Sequence, residues 1–518
     1  MTGTALRRRR LSPEAALLIA ATVLYLVIST WWALADDGLP NTDHAKHAEI
    51  ALRFRDAIAG GSLAFPLTEW TSYPPLVHLV GALGMLVGGR SLAAATIAEN
   101  VVFLPLLALG CYGAGRVAFG RRVGLLAALF ALATPMLMSL FHVFMLDAPA
   151  TALAAGAVWL LLESDRFSRL RPSVLAGVAV AAGFHVKGTF VLVVAGLVLA
   201  LLVRGGWRNR TGALAFAGVA LLLILPWHLA HLGDLLSQTE GATDGRALVW
   251  YGSETYPSRW SLANFTWYGW AAVNTQLYLP LTLFVAGGGL FAVWRLARGR
   301  ERETYLPELL AGGIVAYVSI SLINLDDPRY TLPALVYAAV LGTWWIARVG
   351  RRAALVAAAV LCVLLVANTV IHDAGIGDPV RIDLPGAQDD PIARGSVTLV
   401  SGAGYVEGAP RRDGIRSELQ GLLERAHRDG ARRAVFDLST MGPAAGFNAG
   451  QLRVLGRLAG LRITPLDTPT LPAPEPGDVL VTRLPVRDAG RPPCVPAGAG
   501  FGIYLQDGPG AAPRCPAP

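Results

Sequence analysis

The sequence predicts an α-helical, multi-pass membrane protein carrying a small extracytoplasmic α/β domain at its C-terminal end. Three observations predict it. Of 518 residues, 54% are hydrophobic and only 15% charged, against about 25% charged in ordinary soluble domains, and mean hydropathy is +0.49. The apolar residues gather into runs of roughly the 20 residues that a spanning helix needs. The Lys and Arg residues between those runs fall on a single side when the runs alternate across a bilayer. So apolar a chain does not stay solvated as a coil. The 57 Gly and 33 Pro show no three-residue period, which excludes a collagen-like chain. The net charge of +8 sits in short clusters between apolar runs and forms no phosphate-binding surface, so no nucleic-acid partner is expected.

Taken in order, Arg7–Arg10 precede an apolar run over 15–34. That run is too long for the core of a signal peptide and lacks a small-x-small cleavage site, so it reads as a retained anchor. Further runs cover 92–115, 123–143, 148–163, 173–186, 189–203, 211–231, 276–294, 305–323, 331–347 and 353–371, giving about eleven spans. With Arg7–Arg10 in the cytoplasm, the clusters at Arg116/Arg121/Arg122, Arg166/Arg169/Arg171, Arg204/Arg208/Arg210, Arg295–Arg302 and Arg348–Arg352 are all cytoplasmic. The protein is thus expected in the cell membrane, with its N-terminus cytoplasmic and its C-terminal segment outside. The outer segments are a first loop over about 36–91, a short loop at Asp147, a loop over about 232–275, and the stretch Asn324–Tyr330.

In the first outer loop, Ala48, Ile50, Ala51, Phe54 and Ile58 alternate with Lys46, Glu49, Arg53 and Arg55 at helical spacing, which predicts an amphipathic helix on the membrane surface. The apolar stretch Leu76–Val87 is short for a span and reads as a second interfacial helix. Two domains are expected, a membrane domain over 1–371 and a soluble one over 372–518. In the latter, Ser396–Val400, Ala434–Leu438, Asp478–Arg483 and Gly502–Leu505 read as strands. Ile415, Leu419, Leu422, Leu423 and Ala426 predict a helix stopped by Gly430, and Leu452, Leu455 and Leu458 one stopped by Gly460. Cys111 and Cys362 lie in apolar runs as small core residues. Cys494 and Cys515 lie in the outer tail and are expected to pair.

A few polar residues stand out against this background. Asp43 opens the first amphipathic helix. Asp147 is the sole acid between two apolar runs, which makes it a candidate for function and equally for a helix cap ahead of Pro149. Lys187, in Phe184-His185-Val186-Lys187-Gly188, reads as a site cation or as a lysine snorkelling to the interface. Arg329 reads as a second cation or as one neutralised by Asp326 or Asp327. Asp43, His44 and His47 have spacings that could place metal ligands on one helical face, so a divalent metal is possible; the alternative is surface histidines on an interfacial helix.

Together, the Asp43 helix after the first span, Tyr73-Pro74-Pro75-Leu76, Leu146-Asp147-Ala148-Pro149, Lys187-Gly188 and Pro328-Arg329-Tyr330 resemble the GT-C glycosyltransferase superfamily. The closest branch resembles family 39, which includes protein O-mannosyltransferases and aminoarabinose lipid A transferases. The resemblance covers about residues 10–350. It implies a membrane glycosyltransferase with a polyprenyl-phosphate-sugar donor and a lipid, glycan or protein acceptor outside the cytoplasm. The two family aspartates map onto Asp43, as base of an inverting displacement, and Asp147. Such a donor needs cations for its departing phosphate: Lys187 and Arg329 are the outer-face candidates, with Tyr330 and Tyr73 as further phosphate contacts and Arg246 and Arg259 as alternatives. Tyr73 departs from the Lys or His that many bacterial members carry before the Pro-Pro pair. A transporter or flippase of lipid-linked saccharides is the alternative; it would favour charges buried mid-span and inverted repeats, whereas these charges sit at outer loops. A third reading has the soluble tail acting as an anchored binding protein.

Overall fold

The apolar runs fold into helices whose ends follow local chemistry. The computed structural model describes residues 12–243, 260–300, 304–323, 326–368, 380–388 and 392–400. Beyond those it describes 409–412, 414–428, 430, 433–437, 449–466, 478–482 and 502–506. Helix α1 (Pro13–Ala35) starts at the Ser12 cap with Pro in its first turn. Helices α2 (Thr42–Ala59), α3 (Phe65–Thr68) and α4 (Leu76–Gly88) make up the first outer loop. Then come α5 (Leu92–Phe119), α6 (Arg121–Leu132), α7 (Pro135–Leu140), α8 (Asp147–Glu163), α9 (Leu170–Phe184), α10 (Phe190–Val203), α11 (Arg210–Ala230), α12 (Leu232–Thr243) and α13 (Leu262–Ala271). A π-helical turn over Ala272–Gln276 precedes α14 (Tyr278–Ala297), followed by α15 (Leu306–Ser321). A 3-10 turn over Pro328–Ala334 leads into α16 (Leu335–Val349), and α17 (Arg351–Asn368) closes the set.

This is a multi-pass membrane protein. Six segments are long and apolar enough to cross a bilayer: 13–35, 92–119, 210–230, 278–297, 328–349 and 351–368. Four shorter apolar helices accompany them: 76–88, 170–184, 190–203 and 306–321. The expected span 123–143 is not continuous. Thr134, ahead of Pro135, is driven to extended backbone, because a residue before proline avoids the helical region. The result is α6, a break, the short α7 and a loop, all buried from Ala133 to Leu146. Close helix crossings rest on glycine: a Cβ at Gly110 of α5 would sit 2.6 Å from backbone of α8 at Ala155 and Gly156.

Contacts fix which loops share an end. Glu308 is fully buried and takes Arg166 at 2.8 Å and Arg204 at 2.8 Å, while Glu163 pairs with Arg116 and Arg169. Three of the basic loops and the first turn of α15 therefore meet at one end of the bundle.

The C-terminal segment joins the other end. Strands β1 (Val380–Asp383) and β2 (Ser396–Val400) form an antiparallel pair. Strands β3 (Arg433–Asp437), β4 (Arg462–Leu466), β5 (Asp478–Thr482) and β6 (Gly502–Gln506) form a mixed sheet in the order β4-β3-β5-β6. Helices α18 (Ile415–Arg428) and α19 (Ala449–Leu458) end at Gly430 and Gly460, both at positive φ. The sequence reading missed β1 and β4. Cys494 and Cys515 lie outside the described residues, as do Arg246 and Arg259; Cys111 is a buried free thiol and Cys362 a half-buried one.

Helix α2 does not lie free on a membrane surface. Ala48, Ile50, Ala51, Leu52 and Phe54 are buried, and α2 is sandwiched between α4 and α19. Asp36 takes Arg411 at 3.3 Å, Glu49 takes Arg457 at 3.2 Å, and Gln451 donates to the Pro40 carbonyl at 2.8 Å.

Candidate active site

The polar residues singled out from four separate outer loops converge on one cluster. Asp43 is in the first turn of α2, which Asn41 caps by accepting from the His44 amide at 2.8 Å. Arg329 reaches it from the 3-10 turn, with Nη1 2.9 Å from Asp43 Oδ2. Asp327 holds the opposite edge of the same guanidinium, accepting from Nε at 3.1 Å and from Nη2 at 2.6 Å. That fork turns Nη1 toward Asp43 and toward Asp147, whose Oδ2 is 3.8 Å away. Lys187, from the hairpin between α9 and α10, donates to Asp147 Oδ1 at 2.9 Å. Its ammonium also lies 4.2 Å from the Tyr330 ring centroid.

Exposure separates the two carboxylates. The Asp43 side chain is 36% exposed and that of Asp147 only 4%. Asp147 is not a helix cap: the cap position of α8 is Leu146, without a side-chain cap bond. Its carboxylate lies instead between Lys187 and Arg329. Lys187 does not snorkel, since it is tied to Asp147. Arg329 is neutralised by Asp327, and it also faces the cluster.

Tyr73 follows Ser72, which sits at φ 68. The Lys46 ammonium lies 4.8 Å over the Tyr73 ring and the edge of His47 meets it at 4.7 Å. Burial first, then Asp43, pushes the Tyr73 phenol up to about 12, so it stays a neutral donor. His44 and His47 are buried, not surface residues. His44 faces Arg416, Asp36 and Arg411, and burial with Arg416 next holds its imidazole down at about 3. His47 Nδ1 meets His78 Nε2 at 3.1 Å, and His78 Nδ1 meets the Pro74 carbonyl at 3.2 Å. Asp43, His44 and His47 thus point to three different partners, and among the described residues no group of three or more His, Cys, Asp or Glu is arranged to hold a metal ion.

Sequence reasoning missed the supports of this cluster. Gln276 of the π-helical turn donates to the Pro328 carbonyl and, at 2.7 Å, to Thr331 Oγ1. Asn274 donates to the carbonyls of Ile392 and Ala393 at 3.0 and 2.9 Å and accepts from the Thr398 amide at 3.1 Å. The only sequence signal was a polar triplet, Asn274-Thr275-Gln276, heading an apolar run. Beside the 3-10 turn lies an apolar cavity of about 370 Å³, lined by Gln276, Thr331, Leu332, Leu310, Tyr317 and Leu341 among others.

Residues 72–229 match the family model described as dolichyl-phosphate-mannose-protein mannosyltransferase. That segment contains Tyr73, Asp147 and Lys187. Over that segment the chain resembles that family. No curated protein sequence matches it. Among solved structures it is similar to ArnT from Cupriavidus metallidurans bound to undecaprenyl phosphate, at 18% identity and a TM-score of 0.48, over 70% of this chain and 66% of that one. It is also similar to the oligosaccharyltransferase of Archaeoglobus fulgidus tethered with an acceptor peptide, at 10% identity and a TM-score of 0.49, over 88% of this chain and 64% of that one. The chain thus spans slightly less than two thirds of each of those proteins.

Proposed function

We propose that this protein is an integral membrane glycosyltransferase that moves a sugar from a polyprenyl-phosphate-linked donor to an acceptor hydroxyl or amine on the extracytoplasmic side. One observation carries the reading: a half-open carboxylate, Asp43, pairs with Arg329, while Arg329 and Lys187 both face the buried Asp147 beside it, at the end of the bundle opposite the basic loops. The family match over 72–229 supports it.

A sugar on a lipid phosphate already has a good leaving group. The protein must supply a base for the acceptor and positive charge for the departing phosphate. Asp43 is the exposed carboxylate and serves as the base. The acceptor oxygen or nitrogen bonds to the anomeric carbon from the face opposite the phosphate, with inversion, as its proton passes to Asp43. The bond from the anomeric carbon to the phosphate oxygen breaks and its electron pair leaves with the phosphate. Arg329 Nη1 and Lys187 Nζ receive that charge, and Tyr73 and Tyr330 donate hydrogen bonds to it.

The Asp43–Arg329 contact fits this sequence. A donor phosphate offers Arg329 Nη1 an anion that competes with Asp43 and loosens that contact, so the base is released when the donor is in place. Asp327 keeps the guanidinium oriented throughout. Asp147 fixes Lys187 at the same site. The prenyl chain lies in the apolar cavity beside Thr331 and Leu332, one turn from Arg329.

The test is Asp43→Asn, which keeps shape and helix compatibility. Loss of a general base costs on the order of a hundredfold to ten-thousandfold in rate. Transfer from a polyprenyl-phosphate sugar should fall by that much, with detergent thermal stability unchanged. Wild-type transfer at matched protein level would place the base elsewhere.

A further inference from the structure

A second apolar cavity lies beside the segments that follow Tyr73 and precede Lys187. It measures about 630 Å³ and is walled by Leu79 of α4, Val178 and Ala182 of α9, and Leu223, Pro226 and Ala230 of α11. The wall of α11 belongs to a span whose apolar window is only 11% buried. Beside the cavity, Leu222 and Leu229 are 71% and 61% exposed. In a bilayer that face meets hydrocarbon.

One end of the cavity is polar. Trp227 and His231 line it and are 6% and 7% exposed, and Trp227 Nε1 and His231 Nε2 have no hydrogen-bond partner among the described residues. Trp70 stacks over both, with ring centroids at 5.8 and 5.5 Å. A buried indole N–H without a partner is costly, and its place on the cavity wall offers it to a ligand. The same end adjoins the catalytic cluster through two short links. Pro75 and Leu76 line the cavity two and three residues after Tyr73, and His185 lines it two residues before Lys187. The Leu76 amide donates to the His185 carbonyl at 3.1 Å and locks the two links together.

We propose that this cavity seats the acceptor, and that the acceptor is an acyl lipid whose chain lies between α9 and α11. Its headgroup meets Trp227 and His231 and presents a hydroxyl toward Asp43. This rests on the glycosyltransferase reading and narrows its acceptor class. The physical ground is the wall chemistry. A peptide would carry unpaired backbone N–H and C=O groups into an apolar groove, which is unfavourable without water, whereas a hydrocarbon chain loses nothing there. The first cavity, beside Arg329, remains for the prenyl chain of the donor. The new bond joins the lipid hydroxyl oxygen to the anomeric carbon, the hydroxyl proton goes to Asp43, and the polyprenyl phosphate leaves with the electron pair.

The test uses the full chain in phosphatidylglycerol nanodiscs with two photoprobes, a phosphatidylglycerol with a diazirine in its acyl chain and a diazirine-bearing polyprenyl phosphate. The acyl probe should label α9 and α11 at the cavity, and the prenyl probe the segment 276–341. Ala182→Trp, which fills the cavity, should cut acyl labelling there by about tenfold, a loss of roughly 1.4 kcal/mol, and leave prenyl labelling unchanged. Trp227→Phe, which keeps an aromatic ring on the wall and removes the N–H, should weaken acyl labelling in the same place. Acyl labelling that ignores both variants, or prenyl labelling concentrated at α9 and α11, would overturn the proposal. So would a sugar product recovered only on protein. Labelling does not require turnover, so its outcome separates this proposal from the failure of the transferase reading itself.

Discussion

At the scale of single residues, the site is a balance of buried charge. Asp147 is nearly enclosed and faces Lys187 and Arg329. Removing one member of a buried ion pair leaves the other uncompensated, at a cost of about 3–5 kcal/mol; Lys187 is one-fifth exposed, which favours the lower end. Asp147→Asn should therefore lower thermal stability as well as transfer, in contrast to Asp43→Asn, which should lower transfer alone. A stable but inactive Asp147 variant would mean that it acts in the chemistry directly. His44 sets a pH dependence. With its imidazole held down at about 3 against an ordinary 6.5, the unfolded chain binds a proton below 6.5 that the folded chain does not. Its contribution to stability is full above 6.5 and is lost as pH falls toward 3. Asp326, which burial pushes up to about 6, acts in the opposite sense as pH falls through that value. Comparing wild type with His44→Asn isolates the histidine. The wild-type detergent melting temperature should fall between pH 7 and 5 more steeply than that of the variant; parallel curves would show that His44 is protonated in the folded protein.

At the scale of elements, the cluster is held by short irregular turns at the ends of regular helices. The π-helical turn at Ala272–Gln276 is the clearest case, and such turns recur at functional sites. Asn274 ties it to β2 and the preceding turn, and Gln276 ties it to the 3-10 turn that carries Arg329. The small sheet is thereby linked to the donor-side cation. Asn274→Ala removes four hydrogen bonds, three of them buried, and each buried group left unmet costs about 1–3 kcal/mol. Transfer should decline through a raised donor KM, because Arg329 loses its brace while Asp43 keeps its position. A changed acceptor KM with the donor KM intact would show that the brace acts elsewhere.

At the scale of the whole molecule, the end that holds the cluster also receives the C-terminal segment. Asp36 takes Arg411, Glu49 takes Arg457, and Asn274 meets β2. The basic loops gather at the opposite end around Glu308 and Glu163. From the positive-inside rule we propose that the cluster and the tail face outside. A phosphatase fused after Pro518, active only outside the cytoplasm, should be active; strong activity of a cytoplasm-only reporter at that point would invert the topology.

The sequence by itself determined the membrane class, most of the apolar helices in their order, and the loops that carry Asp43, Asp147, Lys187 and Arg329. Hydrophobic run length, basic clusters and helix-ending glycines are local quantities, and a linear reading recovers them. It also found most strands of the tail, such as Ser396–Val400. Only the tertiary structure decided who faces whom. Spacing along α2 could not show that His44 and His47 are buried and turned to separate partners, because the covering elements, α4 and α19, are separate helices, and Gln451 of α19 stands 411 positions from its partner Pro40. Nor could it show that Asp147 pairs with Lys187 in place of capping its helix, or that Pro135 breaks one expected span. The pairing of Asp43 with Arg329 joins residues 286 positions apart, and only helix packing brings such residues within hydrogen-bond reach.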